Sequence, residues 1–285
     1  MTTSAIDAEL TGLGFPEALR WRDGALWFSD MFRARVMRWV PGQPADVVLD
    51  SAGGGPSMPG GLGWLPDGSL LAVDCTERRV LVVRDGVVAT YTTLSSLTDH
   101  ALNDMHVDED GTAWVGGYGF DPDTDEPRPS ALFRITPDGA VTNTSPTFVF
   151  PNGADRRLGD LIVAETFADR LSTVDVDGRS TRQWALPRGS GPDGISAGRA
   201  GDIWVALAFS GTLAHIGTAG SLSVRYRPSA PPGHPGSGIL SVYDCALAPD
   251  ENVIAVACAD RDEARALDND TGLIRLLRVA DLPSG

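Results

Sequence analysis

The chain has 285 residues, 42% of them hydrophobic and 21% charged, which is enough to bury a sizeable core. Its 38 acidic against 23 basic residues give a net charge of −15, a sign that repels phosphate backbones and anionic membrane surfaces; neither is an expected partner. No stretch approaches the ~20 apolar residues of a membrane span, and the opening MTTSAIDAELTG has neither the basic nor the apolar region of a secretion signal, so the expected compartment is the cytoplasm. The three cysteines, Cys75, Cys245 and Cys258, form no CxxC pair and read as buried thiols.

Taken in chain order, the predicted elements form a repeat of short strands. RWRDGALWFSD with RARVMRWV (20–40) recurs as GWLPDGSLLAVD with RRVLVVRDG (63–86), as HVDEDGTAWVGG with SALFRITPDG (106–139) and as ADRRLGDLIVAE with DRLSTVDVDG (154–178). A fifth copy is SAGRAGDIWVAL with GTLAHIGTAG (196–220), and a sixth, looser one is LAPDENVIAVAC with TGLIRLLRV (247–279). Anchored on the turn residues Gly24, Gly68, Gly111, Gly159, Gly201 and Glu251, the steps are 44, 43, 48, 42 and 50 residues. Runs such as LWFSD, LLAVD, LIVAE and IWVAL lack the 3.6-residue period of a helix and are bounded by Gly and Asp. The expectation is an all-β, six-bladed β-propeller with a central channel, spanning 1–285 as one domain. Three Pro- and Gly-rich insertions, 51–61, 119–130 and 227–238, are expected to be loops on one rim.

Seven or eight residues before each turn anchor stand Glu17, Gly60, Asn103, Asn152, Asp193 and Tyr243. The innermost strand of a propeller blade begins beside the central channel, so these positions should form a ring at one end of it. Four of the six carry oxygen donors. Two carboxylates and two amides converging in a narrow channel are costly without a counter-charge. The predicted cofactor is one divalent cation held by Glu17, Asn103, Asn152 and Asp193; all-oxygen ligation favours calcium, with magnesium, manganese and zinc as the other candidates. Asn152-Gly153 and Asp193-Gly194 are also common turn dipeptides, which is the alternative for any one of them.

The residues also carry a resemblance. GLGFPEALRWRDGALWFSD (12–30), LNDMHVDEDG (102–111), FPNG ahead of a strand ending AETFADRL, and GPDGIS ahead of DIWVA resemble the senescence marker protein, gluconolactonase and luciferin-regenerating enzyme family, in order and over nearly the whole chain. The resemblance implies a six-bladed propeller with a divalent cation in its channel and, in many members, lactone hydrolysis. It implies Glu17, Asn152 and Asp193 as ligands, with Asn103 a fourth, direct or through water. Two departures stand out. The family's Glu-Gly-Pro is Glu17-Ala18-Leu19 here, and the Arg that sugar-lactonase members place two residues before the Asn is Ala101, with His100 beside it.

The function expected is a metal-dependent hydrolase of a lactone or related ester, acting on a small-molecule substrate as a monomer. Asp193 is the first candidate for general base and Asp104 the second, although Asp104 follows Asn103 directly and should point to the opposite face of a regular strand. Ala101, Asp104, Tyr118, Phe120 and Tyr243 are the expected substrate-binding residues. A deep apolar pocket lined by Tyr118, Phe120 or Phe209 would favour a hydrophobic substrate. His100, His106, His215 and His234 are scattered, and none pairs with a Ser or Cys motif. A phosphotriester hydrolase, or a non-hydrolytic biosynthetic or ligand-binding propeller using the same pocket, are the alternatives.

Overall fold

The computed structural model describes residues 5–143, 148–175, 180–235 and 238–283. Residues 1–4 of the opening segment, 176–178 at the end of the fourth repeat and 236–237 of the third insertion lie outside the described residues. The described strands fall into six four-stranded antiparallel sheets, the blades of a six-bladed propeller. Blade 1 shows the pattern: Pro16–Arg22, Ala25–Asp30, Arg35–Trp39 and Asp46–Asp50, each strand paired with the next. Blades 2 to 5 begin with Pro59–Trp64, Leu102–Val107, Pro151–Arg157 and Pro192–Ala197. Blade 6 takes three strands from the C-terminal end, Leu240–Leu247, Val253–Asp260 and Gly272–Arg278, and its fourth, Ile6–Leu13, from the N-terminal end.

The six opening strands are the innermost, and each touches the opening strands of its two neighbours, so that the circuit closes around a channel. Their side chains alternate between the two adjoining interfaces, which is why short β-type runs suffice. Each interface between neighbouring blades has its own apolar cluster. Between blades 1 and 2, for example, Ala18, Val36 and Leu49 meet Leu62, Leu70 and Ala72. The core is thus a ring of six seams rather than one centre.

Two local devices position the channel residues. All six turn anchors, from Gly24 through Glu251, adopt left-handed backbone conformations; they close two-residue hairpins in blades 1 and 4 and longer connections in the other four, which is why the ring residue stands seven residues ahead in blades 1 and 4 and eight in the rest. Every innermost strand also carries one register shift close to its start, for instance between Glu17 and Arg20, between Leu102 and Met105, and between Val242 and Asp244. A bulge of this kind re-aims the side chains beside it. Three blades tie down the loop ahead of the innermost strand with a buried carboxylate. Asp30 accepts from the Gly14 and Phe15 amides, Asp74 from Ser57 and Met58, and Glu165 from Val149. All three insertions reach the rim at which the innermost strands start, because each joins strands whose ends lie there. Among the described residues no helix is long and apolar enough to cross a membrane.

Candidate active site

At the end of the channel where the innermost strands begin lies a cavity of about 520 Å³. Glu17, Asn103, Asn152, Asp193 and Tyr243 all line it, each next to its strand's register shift. Gly60 completes the column without a side chain. Asn152 and Asp193 are buried. The Asn103 amide donates to Asn152 Oδ1 at 2.8 Å, and the Asn152 amide donates to Thr166 Oγ1 at 3.2 Å. Thr166 therefore turns the Asn152 oxygen toward the channel. Asp193 Oδ1 is buried and has no hydrogen-bond partner among the described residues.

Burial pushes both ring carboxyls well above the usual carboxylate range, Glu17 with the added repulsion of Asp193, Asp244 and Asp104, and Asp193 with that of Asp244 and Asp104. Glycine follows the ring residue at Gly153 and Gly194, but neither Asn-Gly nor Asp-Gly is a turn. Both lie within innermost strands, and a methyl at Gly153 would strike the backbone of Asp193 and Gly194, while one at Gly194 would strike Asp244. Close packing of neighbouring inner strands explains these glycines.

The sequence expectation for Asp104 needs correcting, since it does not line the cavity. It faces away from the ring and pairs with Arg20, whose guanidinium lies 2.9 and 3.2 Å from its two oxygens. Arg20 also approaches Asp244 at 3.9 Å and donates to the Met105 carbonyl. Asp244 in turn accepts from the Leu19 and Cys245 amides, and burial raises its pKa to about 7 against the pull of Arg20. Asp104 and Asp244 are buried between the ring and the opposite mouth, where the half-buried Arg20 lines the cavity, and the sequence reading missed Arg20 and Asp244. The Glu17-Ala18-Leu19 departure has a local account. Ala18 sits at φ 53, where glycine is unstrained, and the Leu19 amide that holds Asp244 is a donor proline lacks.

Phe120 also departs from expectation, being 1% exposed and packed edge-on behind Tyr118 and Phe167 rather than on the cavity surface. Ala101 and Tyr118 do line the cavity, as does Phe209. His234 is held 2.8 Å from the Thr271 carbonyl and is not among the lining residues. Glu165 is spent on Arg170, Ser172 and the Val149 amide. The three cysteines are free and buried, and burial raises each thiol. Residues 194–198 read Gly-x-Ser-x-Gly, yet they belong to an inner strand and its turn, and Ser196 Oγ accepts from the Leu247 amide; no strand-to-helix elbow is formed.

A second cavity, of about 550 Å³, opens at the opposite mouth. Its charges are spent on one another: Asp108 on Arg156 and Trp114, and His106 between Asp108 and Asp155. At the ring end, by contrast, two carboxyls face each other and Asp193 Oδ1 has no partner among the described residues.

Fold and site together define a six-bladed propeller with a ring of oxygen donors at one mouth of its channel. The chain belongs to the family described as the SMP-30/Gluconolactonase/LRE-like region, whose profile matches residues 15–234. Solved structures of similar fold include a calcium-binding regucalcin from Agrobacterium tumefaciens (TM-score 0.73, 20% identity, covering 95% of this chain and 93% of that one). A luciferin-regenerating enzyme is similar too (TM-score 0.74, 17% identity, 97% and 95% covered). So is a gluconolactonase from Xanthomonas campestris (TM-score 0.68, 20% identity, 96% and 89% covered). A search of curated proteins by sequence finds no match.

Proposed function

We propose that this chain is a divalent-cation-dependent hydrolase of lactones or related esters, with calcium the first candidate ion and magnesium, manganese and zinc the others. The observation that carries the reading is Asp193 Oδ1, buried and without a partner beside Glu17 in a ring whose other donors are neutral amides. Left alone, the two carboxylates oppose each other's ionisation; a hard divalent ion matches their combined charge and suits all-oxygen ligation. Glu17, Asn103, Asn152 and Asp193 would hold it. When bound, such an ion supplies Lewis acidity toward a carbonyl oxygen and toward water.

The chain's own contribution is positioning and proton transfer. Thr166 fixes the Asn152 amide, and the rim residues hold the substrate carbonyl over the ring. The second carboxylate oxygen of Asp193, the one not offered to the ion, takes one proton from the attacking water as the water oxygen adds to the carbonyl carbon. The ring C–O bond then breaks, and the proton passes from Asp193 to the departing alkoxide oxygen, giving a hydroxy acid. That the similar folds include a calcium-binding regucalcin and a gluconolactonase supports the same reading.

The test is a thermal melt of chelator-treated protein with each ion added back, followed by a lactone panel with the best one. An ion at 100 times its dissociation constant should add about 2.7 kcal/mol of stability. Asp193→Asn should leave the circular dichroism spectrum unchanged and lower kcat by ~10²–10⁴-fold. If no ion shifts the melt, the ring is not a metal site; if Asp193→Asn keeps its rate, the base lies elsewhere.

A further inference from the structure

The turn after the second strand is built alike in three blades. It runs Asp30-Met31-Phe32-Arg33-Ala34-Arg35 in blade 1, Asp74-Cys75-Thr76-Glu77-Arg78-Arg79 in blade 2 and Glu165-Thr166-Phe167-Ala168-Asp169-Arg170 in blade 4. In each, the leading carboxylate pairs with the closing arginine, at 2.7, 2.9 and 2.6 Å. The fifth residue is left-handed every time, with φ of 50, 52 and 49. The third residue is free to differ. In blade 2 it is Thr76, exposed and away from the cavity, so the turn itself does not demand an aromatic ring.

Blades 1 and 4 stand opposite each other in a six-membered circuit. There the third residue is Phe32 and Phe167, and both line the cavity above the ring. Each belongs to an aromatic wall. Phe32 packs on Phe15 at 4.6 Å and Phe15 on Tyr243 at 4.4 Å. Across from them, Phe167 packs on Phe150 at 5.7 Å and on Phe209 at 5.5 Å, and Phe150 stacks on Tyr118 at 3.8 Å. Among the described residues no ring contact joins the two walls. Asp123, Arg261 and Glu263 also line the cavity, but the hydroxyls of a polyhydroxylated lactone that face the two walls would be left unpaired, a loss that costs far more than a missing methylene. Ala101 adds no hydrogen-bonding group to the wall beside Asn103.

We propose that the space between the two walls is a slot for a flat aromatic body, and that the chain opens aryl-fused lactones or aryl esters in preference to sugar lactones, with Phe32 and Phe167 as its specificity-determining residues. The proposal rests on the hydrolase reading for its reaction and on the paired phenylalanines for its substrate class. The experiment compares dihydrocoumarin with glucono-δ-lactone on the calcium-loaded full chain. The expected kcat/KM ratio is ~100-fold or more in favour of dihydrocoumarin. Phe32→Ala and Phe167→Ala should each raise its KM by ~10-fold, and should affect the small aliphatic δ-valerolactone less. Phe32→Leu and Phe167→Leu, which keep the bulk, should fall between and guard against loss of fold.

Equal or better turnover of glucono-δ-lactone overturns the slot and leaves the hydrolase standing. If neither lactone is opened, the hydrolase reading fails, and the slot is decided by calorimetric titration with the non-hydrolysable lactam 3,4-dihydro-2-quinolinone. Binding that weakens ~10-fold in both alanine variants upholds it; no binding, or binding untouched by either substitution, overturns it.

Discussion

Leu158 occupies the first position of a two-residue turn, at φ 50, with 72% of its surface exposed and Gly159 behind it at φ 96. Both central residues are left-handed, the geometry for which Asn-Gly is favoured and a γ-branched residue is strained. Leu158→Asn should therefore stabilise by about 0.5–1 kcal/mol, read as a rise of ~1–4 °C in a calorimetric melt. Strain at Ala18 has a different character, because it lies next to a ring carboxylate and its methyl is buried between blades 1 and 2. The ring makes a pH-dependent prediction. In chelator-treated protein the Glu17, Asp193 and Asp244 carboxyls are raised, Asp244 to about 7 from an ordinary 3.8. A raised carboxyl means the folded state holds protons that the unfolded state has released. Stability of the metal-free protein should accordingly fall as pH climbs from about 4 through 7, and added calcium should flatten that slope. Urea titrations at pH 5 and pH 8, with and without calcium, measure it; equal midpoints in the metal-free protein would count against the charge assignment.

Among the strands and loops, the recurring device is a buried carboxylate at the end of a second strand that clamps the loop leading into the innermost strand of its own blade. Asp74 shows what it holds: the Ser57 and Met58 amides, the Ser57 hydroxyl and both near nitrogens of Arg79. Asp74→Ala strands those donors, and the expected cost is about 2–4 kcal/mol by urea denaturation, less than for a fully buried pair because Arg79 is partly exposed. This level also shows where sequence reading succeeds and stops. The column Glu17, Asn103, Asn152, Asp193, Tyr243 was legible because the hairpin turn is a fixed ruler: one left-handed anchor per blade, seven or eight residues on. For Asp104, strand alternation already pointed away from the ring; what no local spacing reports is its partner, Arg20, 84 residues away. Thr166, Phe32 and Phe167 were within reach. The parallel between SDMFRAR and AETFADR is visible in the sequence, but its meaning depends on knowing that blades 1 and 4 face each other.

For the whole molecule, the governing fact is that stability is distributed over six equivalent seams and one closure. Closure uses the pairing of Ile6–Leu13 with Gly272–Arg278, from Ile6 opposite Leu277 to Leu13 opposite Gly272. Leu13 also joins the apolar seam between blades 6 and 1. A chain shortened to begin at residue 14 loses the outer strand of blade 6 and exposes a sheet edge. Its calorimetric transition should broaden and lose cooperativity, whereas the Leu158→Asn protein should melt in one sharp step. A truncated chain that melts like the intact one would show that the six seams suffice without the closure.

The order of strands in blade 6 also sets a clock for biosynthesis. Ile6–Leu13 is made before the other described strands, but its sheet neighbour, Gly272–Arg278, is made about 260 residues later. At ~5–20 residues per second that interval is roughly 13–50 s, during which five blades can assemble while the earliest strand waits without a partner. The segment's alternation of outward polar and inward apolar residues, with Asp7 and Glu9 on the outward side, keeps it tolerable to water in that interval. The strand that closes the propeller is therefore made before the five intervening blades, and closure has to wait until Gly272–Arg278 has been made.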